Sequence, residues 1–392
     1  MNNQSKSPTS KPRSPTALTK LRQTLGPRFW HGMTLGTWVK FLLRHRLAVG
    51  PRGWHVVAGV TPISLGNSVA ALMQRSIYGR RIAATKVRPP IFIIGHWRTG
   101  TTLLHELLVQ DGRFTFPTTY ECLSPKQSLV TARIVTRHFK FLFPTRRTAD
   151  NMAAGWDRPQ EDEFALCNLG VGSPYERMAF PNDSLGDPFL DMDGVSQEEL
   201  ARWKAGLMRF LQTITVRADK PIVLKSPPHT ARVGLLAEMF PGAKFVHIVR
   251  DPFTVFSSTM RLWPSLYDLQ ALERPQYDGL QEYVFSSFER MYRAFSEQKD
   301  RIPAENFCEL RYEDLVRDPL AQMEIVYGRL QLGDFEPARP RIEAYMQSQK
   351  DYKTNRHQIS PETRAEISRR WCPFMRQYGY DCEPIAVGAA ND

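Results

Sequence analysis

Acidic residues are missing from the first 105 positions of this 392-residue sequence, which hold 16 Lys and Arg but no Asp or Glu. The remaining 287 residues hold 36 basic and 40 acidic side chains, so the net charge of +12 comes from the N-terminal part. This basic part lacks the interleaved aromatic residues of a nucleic-acid recognition module. The composition therefore predicts no nucleic-acid partner and keeps contact with an anionic membrane surface open.

Cysteine is also scarce. The five cysteines are scattered and odd in number, with no C-x-x-C pair, which excludes a disulfide framework and favours a reducing, cytoplasmic location. The nine histidines show no metal-ligand spacing, so we predict no metal.

The N-terminal part lacks the apolar core and cleavage site of a secretory signal. Residues 1–25 are predicted to be a disordered basic tail, and residues 26–89 a basic helical extension. A helix is expected over 35–47, with apolar residues at helical spacing: Leu35, Trp38, Val39 and Leu42. It could lie on an anionic membrane or pack on the rest of the protein, and we favour packing.

No charged residue occurs from Gly53 to Gln74, a stretch long enough to cross a bilayer. Polar residues and Pro62 interrupt it, which disfavours a spanning helix. We expect a loop followed by a helix packed on the core, with peripheral membrane contact left open.

A buried strand, a tight loop and a helix are predicted over Ile91-Phe-Ile-Ile-Gly-His-Trp-Arg-Thr-Gly-Thr-Thr-Leu-Leu-His105. Gly95 and Gly100 have the spacing of a phosphate-binding loop, whose backbone N–H groups and helix N-terminus attract an anion. The lysine of ATP- and GTP-binding loops is absent, because Thr101 and Thr102 stand in its place. The loop therefore predicts a phosphate-like ligand and argues against an NTPase.

Two further apolar strands end in cations, at Lys225 and at Arg250. Asp251 and Pro252 are a plausible N-cap and first residue of the following helix, which places Ser258 two turns into it. Open α/β sheets bind ligands at the carboxyl ends of their strands. A sheet-edge ion pair for Arg250 and a solvated strand end for Lys225 remain as alternatives.

Together the three segments resemble the sulfotransferases that use 3′-phosphoadenosine 5′-phosphosulfate (PAPS), from about Ile91 to the C-terminus. The resemblance implies an α/β fold, a P-loop-like doubly wound parallel sheet of about five strands flanked by helices, as the domain of residues 90–392. It implies that the 5′-phosphosulfate is held by the loop, namely Arg98, Thr99, Gly100, Thr101 and Thr102. Arg250 and Ser258 would hold the 3′-phosphate, and Lys225 with Arg98 would stabilise the departing phosphate.

The resemblance implies transfer of the sulfuryl group of PAPS to a hydroxyl or amine acceptor by in-line displacement. It also supplies candidates for the general base that the acceptor needs. Glu121, beyond a short strand predicted near Phe114–Pro117, is the preferred base. His229 is the rival, although the usual Lys-Thr-His arrangement of the histidine enzymes is not reproduced around it.

A helical insertion of about 120–220 would recognise the acceptor, which the sequence leaves open as a small molecule, glycan, lipid or peptide. Its sharpest feature is the acidic run with Glu161 and Glu163, which could bind the acceptor, orient the base or supply it, or could simply begin a helix.

Downstream, the strand passing into Tyr312 places that residue as a possible neighbour of the nucleotide. Lys353 and Arg356 resemble the basic segment that closes over PAPS, and Arg369–Tyr380 is predicted to be a terminal helix. A nucleotide or small-molecule kinase, and a non-catalytic nucleotide- or membrane-binding protein on the same fold, remain as alternatives.

Overall fold

The computed structural model describes residues 28–51, 53–139, 154–349 and 359–382. The predicted tail and the candidate phosphate ligands Lys353 and Arg356 lie outside the described residues.

Four parallel strands form the central sheet: β1 Ile91–Ile94, β2 Val223–Lys225, β3 Lys244–Val249 and β4 Phe307–Arg311. Their order is β2-β1-β3-β4, so β1 lies between β2 and β3. In register, Phe92 is beside Leu224 on one neighbour and Phe245 on the other. The segment predicted as a strand near Phe114–Pro117 contributes a single parallel bridge, Thr115 to Ile222. The predicted α/β fold with a parallel sheet is confirmed, with four full strands where about five were expected.

Helices cover both faces of the sheet. In chain order they are α1 Leu35–Arg44, α2 Trp54–Ala84, α3 Thr101–Leu108, α4 Thr119–Leu123, α5 Ser128–His138, α6 Glu163–Leu169, α7 Gln197–Arg217, α8 Val233–Met239, α9 Pro252–Gln270, α10 Leu280–Gln298, α11 Tyr312–Arg317, α12 Pro319–Leu330, α13 Arg339–Ser348 and α14 Pro361–Gln377. Short 3-10 turns include Phe29–Gly32, Pro174–Met178 and Pro227–Arg232.

The alternation of side chains along β1 separates two apolar cores. Phe92 and Ile94 belong to the larger one, which contains residues of the N-terminal extension, the insertion and the predicted terminal helix. Ile91 and Ile93 belong to the other, with residues of α12 and α13. The sheet thus holds the insertion and α2 on one face and α12 and α13 on the opposite face.

The N-terminal extension is packed on this domain. Trp30 and Trp38 are fully buried in the larger core. The favoured packing of α1 is therefore correct, but the loop expected after Gly53 is wrong. A single helix runs 31 residues from Trp54 through Pro62 to Ala84.

The helix α2 differs from an ordinary core helix because only one of its sides is buried. Its buried residues run along its whole length and contact the protein: Val57, Val60, Ser64, Gln74 and Ile82. The other side exposes an apolar stripe: Leu65, Val69, Leu72 and Met73 are each more than half exposed. α2 is long and apolar enough to cross a bilayer, with 11% of its most apolar stretch buried. Because one side packs along the domain throughout, α2 lies on the protein surface with its apolar stripe outward.

Candidate active site at the carboxyl ends of the strands

The loop after β1 has the conformation that its glycines predict. Gly95 and Gly100 adopt φ of +145° and +100°, and a Cβ at Gly95 would lie 2.5 Å from the Ile248 carbonyl oxygen. Thr99 is buried and donates its hydroxyl to the His96 carbonyl (2.7 Å), which holds the loop closed on itself. The loop then enters α3 at Thr101, so backbone N–H groups of a helix N-terminus face the carboxyl edge of the sheet.

Arg98 and Arg250 meet beside this loop. Arg98 adopts φ of +71°, a left-handed conformation that costs a non-glycine residue about 1–2 kcal/mol. Its Nε donates to Ser258 Oγ (2.8 Å), while Arg250 Nη1 donates to the Arg98 carbonyl (3.0 Å). The Arg250 guanidinium lies 4.0 Å from the centre of the Tyr312 ring. Four residues that the sequence predicts at a nucleotide site are therefore neighbours: Arg98, Arg250, Ser258 and Tyr312.

The helix that carries Ser258 begins as predicted. Asp251 caps α9 by accepting hydrogen bonds from the backbone of Phe253 (3.4 Å) and Thr254 (2.9 Å), and Pro252 is the first helical residue. The cap fixes the direction in which the chain leaves β3. It thereby sets Arg250 and Ser258 on the same side of the phosphate loop.

The acidic run of the insertion packs onto the end of β2, where each carboxylate has its own partner. Lys225 Nζ donates to Glu161 Oε1, and the Tyr175 hydroxyl donates to Glu161 Oε2. Trp97, from the phosphate loop, donates its Nε1 to the Tyr175 oxygen (3.1 Å). Glu161 is thus joined through one tyrosine to the phosphate loop and directly to the lysine of β2.

The next two carboxylates are structural anchors. Asp162 accepts from Ser226 Oγ (2.7 Å) and is paired with His229 Nε2 (2.6 Å). Glu163 is paired with Arg232 Nη1 (2.7 Å) and is fully buried. Burial alone would raise the pKa of Asp162, but the charge and hydrogen bond of His229 hold it below its ordinary value. These pairs fix the chain immediately after Glu161.

Tyr175 keeps its proton in this site. Burial, and next the charge of Glu161, raise the pKa of Tyr175 well above its ordinary value. The phenol therefore stays a donor toward Glu161 and fixes the orientation of that carboxylate.

His229, the rival base, is fully buried with its Nε2 on Asp162. Its Nδ1 lies 3.5 Å from Arg232 Nη1. Both ring nitrogens face protein groups, and His229 pairs with the acidic run.

Glu121, the preferred base, is engaged at the start of α4. Its carboxylate accepts from the backbone and hydroxyl of Thr118 (2.9 Å each) and lies 2.5 Å from Arg217 Nε. This reciprocal arrangement is a capping box, which stabilises the N-terminus of a helix. The geometry gives Glu121 a local structural role, whereas Glu161 lies with Lys225.

Sequence reasoning did not predict the partners of Tyr175 and Asp162, and it did not single out Arg232. The acidic triplet and the basic positions after β2 were visible, but their pairing depends on how the insertion folds over the sheet. Among the described residues, no three His, Cys, Asp or Glu side chains come together as a metal site.

The chain belongs to the sulfotransferase family, whose model matches residues 89–337. Sulfuryl transfer from PAPS is the general reaction of this family, and the chain is a sulfotransferase. It is 43% identical over 371 residues to the omega-hydroxy-beta-dihydromenaquinone-9 sulfotransferase Stf3 of Mycobacterium bovis, covering 94% of this chain and 95% of that protein. The protein of the same name from Mycobacterium tuberculosis shows the same identity and coverage.

Two solved structures share the fold. Sulfotransferase STF9 from Mycobacterium avium has a TM-score of 0.68 and 18% identity, covering 95% of this chain and 99% of that one. Sulfotransferase STF1 from Mycobacterium tuberculosis H37Rv has a TM-score of 0.61 and 16% identity, covering 91% and 94%. These likenesses extend over the N-terminal extension as well as the central sheet.

Proposed function

We propose that this sulfotransferase transfers the sulfuryl group of PAPS to a hydroxyl of a membrane lipid, with Glu161 as the general base in place of Glu121 or His229. The observation that carries the base assignment is the position of Glu161 between Lys225 of β2 and the Tyr175–Trp97 link to the phosphate loop. A base must lie beside the group it deprotonates and beside the cation that stabilises the developing charge.

The described residues fit PAPS at both ends. The glycine loop and Thr99 to Thr102 form the 5′-phosphosulfate site, and Arg250 with Ser258 forms the 3′-phosphate site. PAPS supplies the sulfuryl group. Glu161 takes the acceptor proton as the acceptor oxygen forms its bond to sulfur, and the electron pair of the broken S–O bond goes to the 5′-phosphate. Arg98 and Lys225 stabilise the charge that grows on that phosphate.

An apolar groove supports a lipid acceptor. It has a volume of about 510 Å³ and lies between the Phe29–Gly32 turn, α2, α4 and α5, with walls that include Gly59, Ile63, Tyr120, Leu123, Phe139 and Trp156. One wall is the exposed side of α2, since Ile63 is 48% exposed. The other walls lead to α4 and to the segment before Glu161. This continuity favours the apolar chain of a lipid acceptor as the occupant of the groove. The lipid in the name of the relatives at 43% identity favours the same occupant.

Filling this groove tests the lipid acceptor. A Cβ at Gly59 would meet no atom within 4 Å, so Gly59→Trp can fold while its indole occupies the groove. We expect the KM for terminally hydroxylated prenyl acceptors of increasing chain length to rise most for the longest chains, measured with ³⁵S-labelled PAPS in detergent micelles. Gly66→Trp is the matched control, because Gly66 is equally open on α2 but does not line the groove. Equal KM values for the two variants at every chain length would contradict the assignment.

We further propose that the protein is cytoplasmic and lies at the membrane surface with the apolar stripe of α2 against the lipid. The stripe is exposed, the N-terminal part carries only positive charge, and all five cysteines are free. Amphipathic helices bind such surfaces through buried apolar area together with attraction to anionic lipids.

Leu65→Ser/Met73→Ser is expected to weaken binding to phosphatidylglycerol-containing vesicles by about tenfold or more, because two exposed apolar side chains no longer enter the lipid. Vesicle sedimentation measures the partition. Val316→Ser/Ile325→Ser removes two similarly exposed apolar side chains from α11 and α12 and should leave the partition unchanged. If both doubles bind like the wild type, α2 is not the membrane-facing element.

A further inference from the structure

A second cavity lies on the other flank of α2, toward α7. It has a volume of about 460 Å³ and is bounded by α2, α7 and the turn after α4. Three cationic side chains line it: Arg75, Lys126 and Arg209. The hydroxyl-bearing residues Thr34, Ser68 and Thr213 complete its polar wall, and the described residues that line it include no Asp or Glu.

Burial disfavours the charged forms of two of these cations, and a neighbouring positive charge adds to the effect in each case. Burial, with the charge of Arg75, lowers the pKa of Arg209. Burial, with the charge of Lys40, lowers the pKa of Lys126. An anion in the pocket would relieve both effects, because an opposite charge favours the charged form of each group.

Hydrogen-bonding capacity is left over in the pocket. Lys126 Nζ donates to Thr37 Oγ1 (2.7 Å), which uses one of the three N–H bonds of its ammonium group. None of the ion pairs found within the described residues includes Arg75, Lys126 or Arg209. Guanidinium groups bind phosphate oxygens in pairs, and an ammonium group adds a compact charge.

The pocket opens at the edge of the apolar stripe. Leu72 belongs to both, since it lines the cavity and is 62% exposed. A ligand here would therefore have its charged group among the three cations while its apolar part lay along the outward side of α2. A phospholipid has this combination, and inorganic phosphate lacks the apolar half.

We propose that the pocket of Arg75, Lys126 and Arg209 binds the phosphate of an anionic phospholipid, which fixes α2 on the bilayer at a defined position. The inference rests on the proposed peripheral membrane location and adds a discrete headgroup site to it. The site is separate from the phosphate loop, since none of the residues that line it belongs to the loop after β1 or to the end of β3.

Two charge-removing variants of equal net charge test the site. Arg75→Gln/Arg209→Gln removes two cations from the pocket, whereas Arg80→Gln/Arg81→Gln removes two from the same helix outside it. Binding of the full chain to phosphatidylcholine vesicles with and without phosphatidylglycerol is measured by sedimentation. We expect roughly a tenfold or greater loss for the pocket variant on anionic vesicles and a clearly smaller loss for the control. Equal losses would mean diffuse attraction and would overturn the site.

A soluble lipid separates the headgroup from the membrane. Dihexanoyl-phosphatidylglycerol below its micelle concentration, titrated by calorimetry, should bind the wild type and not Arg75→Gln/Arg209→Gln. Dihexanoyl-phosphatidylcholine and inorganic phosphate should bind weakly to both. Binding of inorganic phosphate as tightly as the anionic lipid would reassign the pocket to a free anion, and no binding of the lipid would overturn the proposal.

The same variants distinguish failure of this site from failure of the proposed function. Arg75→Gln/Arg209→Gln should bind 3′,5′-adenosine bisphosphate as the wild type does, because the pocket contains none of the nucleotide residues. Lost vesicle binding with intact nucleotide binding and intact transfer in detergent supports the site. If neither the wild type nor either double variant transfers the sulfuryl group to the lipid in detergent, the proposed lipid acceptor is contradicted instead.

Discussion

Replacing Glu161 by Gln is expected to lower kcat for sulfuryl transfer by about 10²- to 10⁴-fold, the usual contribution of a positioned general base. The amide keeps the shape of the carboxylate and can still accept the Tyr175 hydrogen bond, but it takes no proton. Single-turnover transfer of ³⁵S from PAPS to a prenyl alcohol measures the effect. Affinity for 3′,5′-adenosine bisphosphate, measured by calorimetry, should stay close to that of the wild type because Glu161 is not among the proposed nucleotide ligands.

Glu121→Gln is the matched control, since it is the same substitution at the carboxylate favoured by the sequence. Its expected cost is structural, because the change weakens the capping box of α4 and the contact with Arg217. We expect a lower unfolding midpoint with kcat reduced far less than in Glu161→Gln. The opposite ranking of the two kcat values would return the role of base to Glu121.

Arg250→Ala is expected to weaken binding of 3′,5′-adenosine bisphosphate by about 10- to 150-fold, as for the loss of a charge-assisted hydrogen bond. Arg250→Lys should recover part of the affinity, because it restores the charge without the planar pair of donors. Calorimetry with each variant gives the dissociation constants. An unchanged constant for Arg250→Ala would remove this residue from the nucleotide site.

A second nucleotide isolates the 3′-phosphate. Adenosine 5′-monophosphate lacks that group, so Arg250→Ala should bind it about as the wild type does. Titration of both nucleotides against both proteins forms a thermodynamic cycle whose coupling reports the contact between Arg250 and the 3′-phosphate. Equal losses for the two nucleotides would show instead that the substitution has disturbed the phosphate loop through the Arg98 carbonyl. ATP with Mg²⁺ in the same titrations tests the kinase alternative.

The parts of the site that follow a strand were predictable, because local sequence determines them. Glycine spacing after β1 and the Asp251–Pro252 cap after β3 each fix a short stretch of backbone with little help from distant residues. Arg98, Arg250 and Ser258 then come together because parallel strands end at one edge of the sheet.

The carboxylate that lies beside Lys225 was not predictable in the same way. Glu121 has the expected distance along the chain from the phosphate loop, but its neighbours Thr118 and Arg217 use its carboxylate. Glu161 reaches Lys225 only because Asp162 and Glu163 pair with residues on the segment after β2, more than 60 positions away. Such pairing depends on the folded insertion, and a single sequence does not show it.

The structure shows why the prediction of a loop after Gly53 was wrong. Pro62 and several polar residues suggested a break, yet Thr61 and Ser68 donate their hydroxyls to carbonyl groups one turn back, and Asn67 donates to the His31 and Met33 carbonyls. These contacts satisfy the side chains of Thr61, Asn67 and Ser68 with carbonyl groups of the helix itself and of the segment before α1. The exposed apolar residues of α2 therefore lie on its outward side only.

Tyr312 lies between two parts of the candidate nucleotide site, the loop after β1 and Arg250. A Cβ at Gly100 would lie 2.2 Å from the Tyr312 ring, and the Arg250 guanidinium lies 4.0 Å from the centre of that ring. One aromatic ring therefore fills the space between the loop for the 5′-end and the arginine for the 3′-end. The ring is a fixed spacer between Gly100 and Arg250. Under the proposed assignment of the two phosphate sites, it would set the separation of the two phosphates that the protein accepts.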